Sequence, residues 1–297
     1  MKIAIAALLL LAAALPAAHA QPRPAPPKVT LLSAGKGPRH PLRYFLQTGT
    51  TDRGVMTMGM AMKNGDGGGG TDIVIPSVET DLTINMGAPQ ADGEHVYSFA
   101  IDDMRIVPRP GSASGMEQPM QQMLDGMKGM TGSALIDARG ISRDASFTIP
   151  PGLAPEVRDM LEQTESSLDQ MSAPLPAEPV GVGARWRIHT DIARGGMNIS
   201  QDLTYQLVSL QADRALMKVT ISQSARPQKV STAQGSFDLV SYKGTGSGAV
   251  SLDLHHIVPD SKLSMKITQV VQIDLGGGGK QKVPSTITVD MAIARKL

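Results

Sequence analysis

Apolar and polar residues alternate along most of this chain, and the alternation predicts β-strands with one dry and one wet face. Between Val55 and Lys63, methionine recurs at 56, 58, 60 and 62. Strand side chains alternate sides, so Met56, Met58, Met60 and Met62 share one face and the small residues Thr57, Gly59 and Ala61 the other. Leu42 to Thr48 reads as the strand before this ladder, and a glycine-rich loop from Asn64 to Gly70 follows it. Leu82, Ile84 and Met86, then Tyr97, Phe99 and Ile101, continue the pattern. The phase slips at Asp102-Asp103, which predicts a bulge. Ala134 to Ala138 and Ala145 to Ile149 make a hairpin around Gly140. Beyond Gly183 every apolar run alternates, led by Trp186 and Ile188 and ending with Ile287, Val289, Met291 and Ile293.

Two stretches break the period of two. Met116, Met120, Met123, Met127 and Met130 recur at spacings of four and three, the mark of one helical face, with Pro119 in its first turn. A second helix is expected from Pro155 to Met171, with Val157, Met160, Leu161, Leu168 and Met171 on one face and five acidic residues on the other. The methionine helix is expected to lie on the methionine strand, so that Met58 and Met60 meet Met120, Met123 and Met127 in a soft apolar seam. The expected fold is mainly β (α+β): two antiparallel β-meander halves, a duplicated curved sheet or half-barrel, with both helices inserted in the first half and packed on the sheet.

The duplication rests on internal similarity. Gly132 to Pro150 aligns without gaps on Gly248 to Lys266, placing Asp137 on Asp253, Ile141 on Ile257 and Asp144 on Asp260. Asp81-Leu82-Thr83 falls likewise on Asp202-Leu203-Thr204, and Arg43-Tyr44 resembles Arg185-Trp186 at the head of each half. The chain then divides into residues 1–20, a signal peptide; 21–40, a proline-rich linker; 41–175, the first half; and 176–297, the second.

The leader carries Lys2, an apolar run from Ile3 to Leu15 and Ala18-His19-Ala20 as a cleavage site, so the mature chain is expected to start at Gln21 and to be periplasmic or secreted. No later stretch approaches the roughly 18 apolar residues of a membrane helix. Cysteine is absent, which removes disulfides, thiolate metal sites and a cysteine nucleophile. Basic and acidic residues balance at 28 to 27 and aromatic residues are only 3%, which argues against a nucleic-acid surface.

Chemical motifs are weak. Gly67 to Ile75 fits one copy of a calcium repeat that needs stacked copies, and Gly276 to Lys280 lacks the spacing of a phosphate loop. His255-His256 is the one paired histidine, and neighbours on a strand point to opposite faces. No nucleophile motif is present, so the expectation is no enzyme and no cofactor. The methionines of the two segments, Met56, Met58, Met60, Met62, Met116, Met120, Met123 and Met127, are the candidate ligand-binding set. Flexible thioethers suit a lipid, an acyl chain or another hydrophobic small molecule; they equally suit a filled structural core, and soft sulfur ligands also select Cu(I).

Leu175-Pro176, Pro179-Val180 and the run Gly183 to Trp186 resemble uncharacterised exported bacterial proteins with this order of leader, linker and meanders. More distantly, a curved sheet with helices on its concave face is similar to the lipoprotein-carrier and mycobacterial lipoprotein folds. That resemblance implies a bound acyl chain, although the lipobox cysteine of those proteins is missing here.

Overall fold

The computed structural model describes residues 27–65, 72–112, 115, 117–148, 173–194, 196–232, 235–274 and 279–296. Strands β1 (Lys28–Ser33), β2 (Lys36–His40), β3 (Thr51–Asn64), β4 (Asp72–Pro89) and β5 (His95–Val107) come first. Helix α1 (Glu117–Asp125) leads to the hairpin β6 (Thr131–Ile136) and β7 (Ser142–Thr148). Then follow β8 (Val180–Val182), β9 (Arg185–Arg194), β10 (Met197–Gln211), β11 (Arg214–Ala225) and β12 (Gln228–Thr232). The last three, β13 (Gly235–Asp253), β14 (Asp260–Asp274) and β15 (Lys280–Lys296), are among the longest. Strands make up 72% of the described residues, which puts the protein in the mainly β class.

One antiparallel sheet runs in the order β1-β9-β10-β11-β13-β14-β15-β3-β4-β5-β6-β7, with β12 beside β13 and a separate β2-β8 pair. The sheet does not close, and β1 and β7 are its edges. Directly opposed residues in an antiparallel pair point to the same side, so register traces a face from strand to strand. The row beginning at Trp186 passes through Tyr205, Val219, Gly248, Leu263, Met291, Met58 and Val78 to Ile106. Every member but Gly248 is apolar. The glycine has a steric cause: a Cβ at Gly246 would come within 2.5 Å of the Ser264 carbonyl, and one at Gly248 would strike the Lys262 carbonyl. Here β14 crosses β13 too closely for side chains, the role glycine takes in sharply curved sheets.

Two expectations need correction, and a third lies outside the described residues. Residues 28–40, expected as linker, form β1 and β2: Val29 and Leu31 stand opposite Ile188 and Trp186, an apolar match that outweighs the nearby prolines. Leu42 to Gln47 alternates as expected, with Leu42 and Tyr44 buried, but it joins no sheet, and Thr48 already lies in a turn. Its backbone bonds go instead to two hairpin turns, Tyr44 N–H to the Ala138 carbonyl and Phe45 N–H to the Leu254 carbonyl, both at 2.7 Å. Alternation reports a half-buried extended backbone and says nothing of its partner. Among the described residues there is one helix where two were expected; Pro155–Met171 lies outside them.

The predicted bulge is present. Asp81 pairs with Asp103 and Leu82 with Ile101, leaving Asp102 as the extra residue. Two further turns share one geometry. Asp137 Oδ1 accepts the Arg139 N–H and the Asp137 carbonyl accepts the Gly140 N–H; Asp253 Oδ1 accepts the His255 N–H and the Asp253 carbonyl accepts the His256 N–H. These hairpins, β6-β7 and β13-β14, are the two segments that align in sequence.

Packing covers the apolar face at both ends. Over β9 to β13 the cluster of Trp186, Tyr205, Leu207, Met217 and Leu252 is closed by Leu42, Tyr44 and Leu175. At the far end α1 sets Leu124 among Ile101, Met104 and Met130. Residues 101–107 of β5 extend past β6, and the Gln121 amide stands in for the missing strand: it accepts the Ile106 N–H at 2.9 Å and donates to the Met104 carbonyl at 3.0 Å.

Candidate functional site

The methionine ladder occupies the sheet centre, between β15 and β4. Met56, Met58, Met60 and Met62 stand opposite Ile293, Met291, Val289 and Ile287. On β4, Met58 faces Val78 and Met60 faces Ile75, so one extra residue intervenes. Pro76, which has no N–H to give a ladder, sits at that irregularity, as bulges allow. The ladder and its β15 partners are half-buried except Met58, which is 37% exposed. Leu263 and Met265, one strand further, are half-buried too. The result is an open apolar strip over β14, β15 and β3, between the cluster around Trp186 and the cluster around Leu124.

The helix methionines are placed differently. Helix α1 packs on β5, two strands from β3 in the sheet. Met130 is fully buried and Met127 packs on the Leu124 cluster, Met120 is half-buried, and Met123 is 47% exposed. Met116 lies outside the described residues. Gln121 explains the rotation: its two bonds turn it to the β5 edge, and Met123, two residues and about 200° further round, points away. Helix and ladder share the apolar face and touch a common neighbour, since Val78 packs on the Leu124 cluster and stands opposite Met58. The strip therefore belongs to β3 and β15, and the helix is its wall.

Residues 161–256 match a family of unknown function, DUF6263. The match ends in the turn after β13 and includes neither β3, α1 nor β15. No curated protein matches the chain. Among the described residues no helix is long and apolar enough to cross a membrane.

A buried carboxylate closes one end of the strip. Asp52 begins the ladder's own face on β3, opposite Ile84, and is 4% exposed. It accepts the Ile257 N–H at 2.7 Å and pairs with His256 Nδ1 at 2.5 Å. These bonds hold the turn after β13 over the start of β3, where a Cβ at Gly54 would meet Val258 at 2.8 Å. The paired histidines lie in this turn rather than in a strand, and they diverge: His255 bonds Asp213 and stacks on Phe45. Asp102 and Asp103 also diverge, the first accepting from Thr83, the second engaged by Arg105 and Lys128.

Sequence reasoning missed Asp52 and Gln121, and set His256 on a strand. Asp52 carried a usable signal, a carboxylate in phase with the methionines and so on the dry face.

Proposed function

We propose that this protein is a non-enzymatic periplasmic carrier that binds a hydrophobic ligand, a lipid or acyl chain, on the strip formed by Met56, Met58, Met60 and Met62 with their β15 partners. The observation that carries the reading is the half-exposure of this row in the middle of a sheet whose two ends are covered. Fully burying a Met, Val or Ile side chain contributes about 1.5–3 kcal/mol, and these residues are only part of the way there. A flexible chain laid along the strip recovers the remainder, and thioethers repack around ligands of differing shape. The leader supports export, and the acyl-chain class follows the distant resemblance to lipoprotein carriers.

The matching Asx turns of β6-β7 and β13-β14 support a duplicated origin for the two meanders. So does the segment between them, since Ala138 and Leu254, its two acceptors, occupy equivalent positions in the alignment. A second reading, Cu(I) bound by thioethers, is favoured by Met291 standing opposite Met58, which brings sulfur from two strands to one place.

The test is native mass spectrometry of protein purified from its own envelope, paired with displacement of a fluorescent fatty acid. A co-purifying lipid, and probe binding at least tenfold weaker in Met60→Glu but unchanged in Met123→Glu, are the expected results. A copper-sized mass shift would transfer the site to the metal. A bare chain that binds the probe equally in both variants would leave the strip as structure only.

A further inference from the structure

On the opposite face of β3, a cleft of ≈ 380 Å³ opens between Gly59, Ser77, Asp290, Lys262 and Ser264. Across Gly59 lies the guanidinium of Arg109: a Cβ at 59 would collide with Nη1 and come within 3.0 Å of Ser77 Oγ. Glycine is required here by what crosses the polar face, not by a bend in the strand. The turn that presents Arg109 is rigid. Pro108 and Pro110 flank it, its carbonyl accepts both the N–H and the hydroxyl of Ser112, and Gly111 takes a φ of 80°.

The guanidinium is only partly committed. Nη2 donates to Asp290 Oδ2 at 3.3 Å, while Asp290 Oδ1 accepts the Ser264 hydroxyl at 2.8 Å. Nη1 is buried and has no hydrogen-bond partner among the described residues. Buried donors of this kind are rare and costly, because the N–H has left water without gaining an acceptor. Lys262 adds a second positive charge with no ion-pair partner among the described residues, so cations outnumber the one carboxylate lining the cleft. Glu79, opposite Thr57 on the same side, is taken by Arg105.

We infer that this cleft binds a small oxyanion, a carboxylate or a phosphate monoester, with the Arg109 guanidinium as principal donor and Ser77 and Lys262 beside it. A planar guanidinium fork matches two oxygens of such a group, and the volume is at the small end of ligand sites, roughly 300–1,000 Å³. The polar residues of the site lie on the other side of β3 from the ladder methionines.

The experiment titrates full-length mature protein with inorganic phosphate and with succinate at constant ionic strength, following backbone amide shifts of Gly59 and Ser77 by NMR. Saturable binding in the range of ~1–10 mM by at least one anion is expected, the tighter of the two naming the class. Arg109→Gln should weaken it at least tenfold. Gly59→Ala should do the same while keeping the charge, because it displaces the guanidinium from its cradle. Asp290→Asn should tighten binding several-fold by removing the competing carboxylate, an effect that no purely structural role for Arg109 produces. Unsaturable shifts with both anions in the wild type, equal binding in Gly59→Ala, or weaker binding in Asp290→Asn would each overturn the assignment.

Discussion

Met58 and Met291 stand directly opposite each other where β3 meets β15, so the last strand completes an apolar strip that the first long strand begins. Neither residue has a sequence neighbour that announces the other, and the pair joins the two meanders into one sheet. It also shifts the expected partner of the ladder from the methionine helix to the C-terminal strand.

The helix predictions follow from which residue it buries. Leu124→Ala should cost about 2–5 kcal/mol, because Leu124 fills the cluster of Ile101, Met104 and Met130. Met123→Ala should stay within about 0.5 kcal/mol, since the side chain faces solvent. Urea denaturation of the two variants measures both, and a larger loss for Met123 would mean the helix is rotated.

Gln121 is expected to matter more than a surface glutamine ordinarily does. Its replacement by Ala removes both bonds to the open edge of β5 and leaves the Ile106 N–H without its acceptor, at a cost of about 1–3 kcal/mol. Hydrogen exchange at the Ile106 amide should speed up well beyond that at Phe99, whose neighbours pair with β6.

Asp52 should tolerate little change. Ala at this position strands the Ile257 N–H and the His256 ring and should destabilise by about 1–3 kcal/mol; Asn, which keeps one acceptor oxygen, should lose less. Equal thermal melts for wild type and Asp52→Ala would show that the turn after β13 holds by packing alone.

Alkaline pH should unfold the end of the sheet around Trp186. Burial pushes Tyr205 up to about 12; Tyr44 is pushed up as well, first by burial and then by Tyr205, against its bond to the Ala173 carbonyl. Both folded values lie above the unfolded value of about 10, so the stability gained by keeping these phenols neutral is intact below about pH 10 and is lost as pH rises towards 12. Phenolate absorbance and loss of the Trp186 fluorescence signature should therefore rise together in a pH titration. Ionisation of all four tyrosines near pH 10 in a folded protein would contradict this.

Much of the fold was legible because alternation is a property of local backbone geometry. Each residue of a strand turns its side chain to the side opposite its neighbour's, so the dry face of β3, β10 or β15 is readable without knowing any partner. The same holds for the bulge at Asp102, where the phase slips within the strand itself. What only the tertiary structure decided was pairing and rotation. Leu42 to Gln47 alternates like a strand yet bonds to two turns, and Val29 and Leu31 sit among prolines yet find β9. The helix spacing from Met120 to Met130 suggested Met123 for the core, but one amide, Gln121, reaching the β5 edge turned Leu124 inward instead. Gly59 read as a small residue beside Thr57 and Ala61 and proved to be the bed for Arg109, fifty residues on. Such outcomes depend on contacts between residues far apart in the chain, whose free energies are compared only once the whole sheet is assembled, and no local pattern carries that comparison.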